Sequence, residues 1–206
     1  MPTYETPIHD QSFGAVMVAS QREATRLRAP EYGSEHVLLG LLSLGGPIVD
    51  AAVAAFPGFT LATVRTAVET DLDDRPHLER LGISSADVPA APDPVGALTP
   101  ANRHTAEWQS ALASASVKLN QLQKSRLLPR ERKVSAALLW LAVLEPAARA
   151  SKLLRAMAVD PDRVRDVVLR DLAPAGSPLP AWPTQARPGL VTRLVQHAFT
   201  RINVRA

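Results

Sequence analysis

The sequence predicts an all-α protein. No segment of the 206 residues alternates apolar and polar side chains with the period of two that a half-buried strand requires. Apolar residues recur instead at intervals of three and four, which is the spacing of one helix face. Prolines and glycines stand between these stretches, where helices begin and end. These three observations predict a set of short helices packed on one another.

The composition is that of a globular chain with its own core. Apolar residues make up 46% and charged residues 21%, whereas a disordered chain would be less apolar and more highly charged. The chain has no cysteine, which excludes disulfide scaffolds, thiol nucleophiles and cysteine zinc sites. It opens on no signal peptide, and Gly45-Gly46-Pro47 interrupts the apolar stretch 37–56, so we expect two buried helices there and no transmembrane segment. We therefore expect a cytoplasmic protein.

Two helices are predicted before Gly45. The first has one apolar face, and Pro30 and Gly33 end it. Ser34 is the predicted N-cap of the second helix, which runs to Leu44. The apolar face of the first helix consists of Phe13, Val16, Met17, Ala24 and Leu27.

A third and a fourth helix follow. The third is predicted from Pro47, which suits the first helical position, to Phe56, and Pro57-Gly58 stops it. Thr60 is the predicted N-cap of the fourth helix. The apolar face of this fourth helix consists of Leu61, Val64, Val68 and Leu72.

The same pattern recurs one hundred residues later, which predicts an internal repeat. The second copy is predicted to begin at Thr99-Pro100, an N-cap followed by proline, with a long apolar stripe after it. Its other helices are predicted at Val134–Leu144, Ala147–Met157 and Pro161–Leu172. The stripe consists of Trp108, Leu112, Ala115, Leu119 and Leu122, and the matched positions include Thr60 with Asp160, Val64-Arg65 with Val164-Arg165, and Asp71-Leu72 with Asp171-Leu172.

These patterns divide the chain into four parts. The first repeat covers 10–72, a proline-rich linker 73–97, the second repeat 98–172, and a proline-rich tail 173–206. A short helix is predicted in the linker at His77–Leu81, and a basic amphipathic helix in the tail at Leu190–Ile202. That last helix has three open destinations, namely this protein's own core, a partner, or an acidic membrane surface.

The stretch Gly33-Ser34-Glu35-His36-Val37-Leu38-Leu39-Gly40-Leu41-Leu42 resembles a family motif. It is similar to the Gly-Thr-Glu-His-Ile-Leu-Leu-Gly-Leu motif of the Clp N-terminal domain, above all in ClpC-like chaperones. The resemblance is close over Phe13–Leu72 and weaker over Thr99–Leu172. It implies a pseudo-twofold pair of four-helix repeats that docks substrates and adaptors for a hexameric unfoldase. In ClpC-like proteins this domain also recognises phosphorylated arginine and is a target of cyclic-peptide antibiotics.

The chain contains no Gly-x-x-x-x-Gly-Lys-Ser/Thr phosphate loop. We therefore expect a stand-alone protein with recognition but without the ATPase ring. The expected function is that of a non-catalytic protein- or peptide-binding module that acts as an adaptor, competitor or antibiotic decoy in proteolysis. Its expected partners are Clp unfoldase components, degradation-marked substrates or cyclic-peptide antibiotics.

The resemblance implies Glu35 as the residue that pairs with a ligand guanidinium, which a carboxylate does through two parallel hydrogen bonds. Ser34, which keeps the hydroxyl of the family's threonine, and Thr99 are the other candidate ligand-binding residues. The alternative role of Glu35 is a favourable charge at a helix N-terminus, and that of Ser34 is N-capping. His36 is expected to pack or cap. Asp10 stands where the family has a threonine and would repel a phosphate, whereas Thr99 matches that threonine in the second copy. The segment 134–137 of the second copy holds Ala136 and no carboxylate, so no second guanidinium site is expected.

A basic segment supports an alternative function. The net charge is +3, and Lys118–Lys133 carries six basic residues against Glu131. Such a patch would bind nucleic acid or an acidic protein face, and a solvated helix end is the plainer interpretation. The candidate partner residues are Lys124, Arg126, Arg130, Arg132 and Lys133. A basic helical nucleic-acid-associated protein is therefore the alternative function, and a role in oligomerisation is a third.

No residue set points to catalysis. The five histidines show no short metal-ligand spacing, and no Gly-x-Ser-x-Gly elbow is present. We therefore expect no metal, no cofactor and no enzymatic activity.

Overall fold

The computed structural model describes residues 12–72, 103–129 and 136–185. Within these ranges the protein forms eight α-helices and no β-strand, which confirms the all-α class. The helices are α1 (Phe13–Arg26), α2 (Ser34–Leu44), α3 (Pro47–Ala55), α4 (Leu61–Asp71), α5 (Ala106–Lys124), α6 (Ala136–Val143), α7 (Arg149–Ala156) and α8 (Pro161–Leu172). Asp10, Thr99, Arg130, Arg132, Lys133, the linker 73–97 and the predicted helix 190–202 lie outside the described residues.

Side-chain caps fix the start of several helices where the sequence predicts them. The Thr60 hydroxyl accepts from the backbone N–H of Thr63 at the start of α4, and the Asp160 carboxylate accepts from that of Asp162 at the start of α8. Pro161 takes the first helical position, where no N–H is needed. Both predicted caps are confirmed, and the described ends of α3, α4, α7 and α8 lie within about two residues of the predicted ones.

Ser34 does not cap α2, so that prediction is wrong. The N-cap is Gly33, and Ser34 is the first helical residue. The nitrogen Nδ1 of His36 accepts from the Gly33 backbone N–H at 3.1 Å, so the capping side chain reaches back from inside the helix. Ser34 is thereby released for contacts with other helices.

The first helix of the second set begins later than predicted. Residues 103–105 are not helical, and Thr105 is the N-cap of α5, with its hydroxyl accepting from the Trp108 backbone N–H. A helix that starts at Pro100 is therefore wrong. Tyr32 explains the difference, because its backbone exchanges hydrogen bonds with the backbones of Arg103 and Thr105, which holds this stretch extended.

One core joins the helices of both sets. Helices α2 and α6 lie against each other at the centre and are buried along most of their length. Helix α1 covers α2 and α5 covers α6. Helix α4 packs on α2 and α8 packs on α6, while α3 contacts α8 and α4 contacts α7 across the two sets. The ring of Trp140 on α6 meets Phe59 in an edge contact with centroids 6.4 Å apart.

Glycine allows the close crossing of α1 and α2. A side chain at Gly40 would lie 2.5 Å from the Ser20 hydroxyl and 2.8 Å from its backbone nitrogen. Ser20 is fully buried and donates its hydroxyl to the carbonyl of Val16 one turn earlier. Only a residue without Cβ fits this crossing. The N-terminus of α2 lies beside α5 and α7.

Helices α2 and α3 differ in burial. Helix α2 is buried as expected, but α3 buries only Val49 and Ala52, so the expectation of two buried helices is wrong for α3. In the described part of the chain, no single helix has the length and apolar character to cross a membrane. The pair α2 and α3 passes that test together, but the chain bends by 103° between them.

Candidate functional site

Three helix N-termini meet at one place in the structure. The Ser34 hydroxyl at the start of α2 donates to Glu107 Oε1 of α5 at 2.8 Å and accepts from the Ala150 backbone N–H of α7 at 3.0 Å. Glu107 Oε1 also accepts from the Arg149 backbone N–H at 2.7 Å. The N-cap of α7 is Ala148, which has no capping group. The free N–H groups of α7 are thus capped by side chains from α2 and α5.

Glu35 is a buried carboxylate at this meeting point. The residue is only 3% exposed. Its Oε1 lies 3.3 Å from His36 Nδ1 and 3.7 Å from Arg149 Nη1, whereas its Oε2 is buried without a hydrogen-bond partner. A buried carboxylate oxygen without a donor is energetically unfavourable. Glu35 therefore has unused capacity to accept a hydrogen bond.

Gly33 makes room for this carboxylate. A Cβ at Gly33 would lie 2.6 Å from Glu35 Oε2 and 2.8 Å from Oε1. The backbone of Gly33 is extended, with φ −111°, so any residue adopts that conformation. Space, rather than backbone freedom, is what requires glycine here. The side chain of Glu35 folds back over its own helix start because Gly33 has no side chain.

His36 faces both Gly33 and Glu35 through the same nitrogen. In the neutral ring Nδ1 accepts from the Gly33 N–H, and in the protonated ring it donates to Glu35. The other ring nitrogen, Nε2, is buried without a partner. The expectation that His36 packs or caps is confirmed, and its ring also lies beside the Glu35 carboxylate.

Arg149 and Asp71 close the cluster on the solvent side. The Arg149 guanidinium donates through Nη2 to Asp71 Oδ2 at 2.9 Å and through Nε to the same oxygen at 3.2 Å. Its side chain is 46% exposed, and that of Asp71 is 49% exposed. The guanidinium thus lies beside Glu35 but makes its short contacts with Asp71.

The pKa of Glu35 reflects this mixed environment. Burial by itself raises the pKa. Hydrogen bonding and charge from His36, the hydrogen bond from its own backbone and the charge of Arg149 outweigh burial and bring the pKa below its usual range. Glu35 is consequently a carboxylate at neutral pH. Three carboxylates thus contact Arg149: Glu35 and Asp71 at its guanidinium and Glu107 at its backbone N–H.

The sequence predicted only part of this cluster. Glu35 and Ser34 lie at its centre, although Ser34 is fully buried with its hydroxyl hydrogen-bonded on both sides. The contributions of Asp71, Glu107 and Arg149 were not predicted. Arg149 and Asp71 are 78 residues apart, and no local pattern connects positions so far apart.

Lys118 does not belong to a basic surface, so its place in the predicted patch is wrong. It is 3% exposed, and its Nζ donates to Glu145 Oε2 at 2.7 Å. The reason is its position on the core side of α5, where Glu145 supplies the opposite charge. Lys124 and Arg126, by contrast, are exposed and line an open cavity of about 550 Å³ at the end of α5.

Neither protein-family models nor curated protein sequences match this chain. Among the described residues, no group of three histidine, aspartate or glutamate side chains is arranged to hold a metal ion.

Proposed function

We propose that this chain is a non-catalytic protein- and peptide-binding module of the Clp N-terminal type, which binds an arginine side chain of its partner at Glu35. The observation that carries the proposal is the Glu35 carboxylate, which is buried, ionised and left with one oxygen unpartnered. A guanidinium offers two parallel N–H donors that match both oxygens of a carboxylate.

The arrangement of the helices supports the two-repeat part of this proposal. In chain order, each set of four begins with a helix that covers the next one, and this second helix is buried at the centre. Two further helices follow it in each set. If α1–α4 are matched in order to α5–α8, the contact of α3 with α8 corresponds to that of α7 with α4. The contact of α1 with α6 corresponds in the same way to that of α5 with α2. Such reciprocal contacts are what a pseudo-twofold axis between α2 and α6 produces.

Arg149 supports the proposal that Glu35 binds the guanidinium of a partner arginine. Its Nη1 is 3.7 Å from Glu35 Oε1, which is too long for a strong hydrogen bond. In this proposal the chain's own arginine stands where a ligand arginine binds, and the ligand displaces it. Glu35 and Asp71, which both contact the Arg149 guanidinium, favour an unmodified, positively charged guanidinium over one that carries a phosphate, because a phosphate would face two carboxylates.

The test is a titration with three labelled peptides that differ at one position: arginine, phosphoarginine or lysine. We expect the arginine peptide to bind best, and Glu35→Gln to weaken it by roughly tenfold, the equivalent of one charge-assisted hydrogen bond. Arg149→Ala is expected to strengthen binding because it removes the internal competitor. Asp166→Asn removes an exposed carboxylate on α8 and serves as the control for net charge.

Two results would contradict the arginine site. One is equal binding of the arginine and lysine peptides, since that indicates attraction to charge alone. The other is unchanged affinity in Glu35→Gln while the circular dichroism spectrum stays that of the wild type.

The role in proteolysis has its own test. We expect the purified chain to change the rate at which a ClpC unfoldase with its protease degrades a substrate, by slowing it as a competitor or raising it as an adaptor. The Glu35→Gln chain at the same concentration is expected to have less effect. A degradation rate that neither protein changes would count against this role.

A further inference from the structure

Three cations from two helices share one surface at the end of α5. Lys124 is the last residue of α5, Arg126 follows in the turn after it, and both are exposed. Arg170, in the last turn of α8, is exposed as well. Pro174 borders both the cavity lined by Lys124 and Arg126 and the neighbouring cavity lined by Arg170. We call Lys124, Arg126 and Arg170 the basic surface.

The basic surface has a surplus of positive charge. Among the described residues, no carboxylate lines either cavity, and none of the three cations has an ion-pair or side-chain hydrogen-bond partner. The end of a helix carries about half a unit of negative charge, so the ends of α5 and α8 leave about two positive charges without compensation. The exposed Asp171 follows Arg170 on α8, but successive helical side chains point about 100° apart.

The turn after α5 holds Arg126 in a fixed backbone conformation that does not favour arginine. The Arg126 N–H donates to the Gln123 carbonyl at 3.2 Å, and the Leu127 N–H donates to the Leu122 carbonyl at 3.0 Å. The φ of Arg126 is +59°, in the left-handed region, where such a turn favours glycine. Its side chain donates to none of the last carbonyls of α5. The turn thus presents an unpaired guanidinium to solvent.

Leu127 favours an acidic protein partner over a nucleic acid. Its side chain is 51% exposed and follows Arg126 directly, whereas Leu128 is buried in the core and holds the chain there. A phosphate backbone offers no apolar contact to Leu127, and single strands bind largely by stacking on aromatic rings. None of the described residues that line the two cavities is aromatic. A protein segment supplies both carboxylates for the cations and an apolar side chain for Leu127.

We propose that the basic surface is a docking site for an acidic segment of a partner protein, in which carboxylates flank one large apolar side chain. The carboxylates pair with the three cations, and the apolar side chain packs on Leu127. None of the residues around Glu35 takes part, so the test is independent of the arginine site. Glu107 and Lys124 stand near opposite ends of α5, about 26 Å apart at 1.5 Å per residue. Different partners can therefore occupy the two sites at once.

The experiment uses the full chain and the fluorescein-labelled peptide Ser-Glu-Glu-Leu-Glu-Glu-Ser, with binding measured by fluorescence anisotropy. We expect the peptide to bind, and to bind less tightly as salt is raised, because salt screens exposed charges. Arg126→Gly and Arg170→Gln are each expected to weaken binding about fivefold, the upper range for one exposed ion pair. Leu127→Ser is expected to weaken it about threefold. The triple variant Lys124→Gln/Arg126→Gln/Arg170→Gln is expected to abolish binding.

Arg28 supplies the matched control. It is exposed at the same position after α1, with φ +55° and with the Ala29 N–H donating to the Ala24 carbonyl at 2.9 Å. Arg28→Gly therefore removes the same charge and relieves the same backbone conformation as Arg126→Gly. Both variants are expected to melt at or above the wild-type temperature, but only Arg126→Gly is expected to weaken binding. If Arg126→Gly does not fold, the comparison of Arg170→Gln with Arg28→Gly decides.

The proposal is overturned if the wild-type chain does not bind the peptide at low salt. It is also overturned if Arg28→Gly and Arg126→Gly weaken binding equally, because that indicates attraction to net charge alone. Unchanged affinity when serine replaces the leucine of the peptide would remove the apolar contact from the site. Tighter binding of an oligodeoxythymidine of equal charge, lost in the triple variant, would assign the basic surface to nucleic acid instead.

Discussion

Glu35 shows how one buried carboxylate depends on several small local arrangements. Gly33 leaves the space into which the carboxylate folds, and His36 and Arg149 supply positive charge at 3.3 and 3.7 Å. Each contact is modest, but together they outweigh the effect of burial on the pKa. The carboxylate is ionised although its residue is nearly inaccessible to water, which is the state a guanidinium ligand needs.

The lowered pKa of Glu35 predicts a pH dependence. Its contribution to the free energy of unfolding is complete above the unfolded-state pKa of about 4.3 and is lost as the pH falls through the lower folded-state value. Glu35→Gln is therefore expected to be less stable than the wild type by about 1–2 kcal/mol at pH 7. The difference should shrink below about pH 4.

Urea denaturation from pH 7 to pH 3 measures this difference. The Asp166→Asn chain, which loses an exposed charge on α8, is the matched control. A difference between Glu35→Gln and the wild type that stays constant down to pH 3 would be incompatible with an ionised, stabilised Glu35.

At the scale of helices, the close crossing of α1 and α2 is the contact most sensitive to side-chain size. A Cβ at position 40 would meet the backbone of α1, namely the Ser20 nitrogen at 2.8 Å and the Val16 carbonyl oxygen at 3.0 Å. Backbone atoms in a helix cannot rotate away as a side chain does. The two helices would have to separate, which opens the core beneath them.

Gly40→Ala is therefore expected to destabilise the protein by about 1–3 kcal/mol, in spite of the higher helix propensity of alanine. Gly14→Ala is the matched control, because Gly14 is a helical glycine of α1 and a Cβ there meets nothing within 4 Å. We expect Gly14→Ala to be neutral or stabilising by up to about 1 kcal/mol. Thermal melts of both variants check the prediction, and a melting temperature for Gly40→Ala at or above that of the wild type would contradict it.

The helices were the part of the structure that the sequence predicted best. The apolar periods of α1, α4 and α8 and the caps Thr60 and Asp160 are local signals, and the structure follows them. The predictions were wrong where contacts between residues far apart in the sequence determine the structure. Ser34 looks like a cap in isolation, but Glu107 and Ala150 take its hydroxyl, and Lys118 looks like part of a charged surface until Glu145 is placed beside it.

At the scale of the whole molecule, the two sets of helices share one core. Helices α2 and α6 bury their faces against each other, and residues 173–185 lie over the second set. The sequence predicted two similar halves but carried no signal for how they join. The candidate site shows the same limit, because Glu35 was found from its motif, whereas Arg149, Glu107 and Asp71 reach it only through the packing of the halves.

The shared core predicts that neither half is stable alone. A chain of residues 1–102 would expose the face of α2 that lies against α6 and lose that apolar burial. We expect it to show weak helical signal in circular dichroism and no cooperative thermal transition, while the full chain unfolds in one transition. A cooperative transition of the 1–102 chain as a monomer would contradict a single shared core.

The capping of α7 by other helices has a consequence for how the molecule folds and opens. Its first two backbone N–H groups are held by Ser34 and Glu107, which belong to α2 and α5. These hydrogen bonds form only when three distant parts of the chain have assembled. The amide protons of Arg149 and Ala150 therefore report on that assembly, and their exchange with deuterium measures how often the two halves of the molecule part from each other.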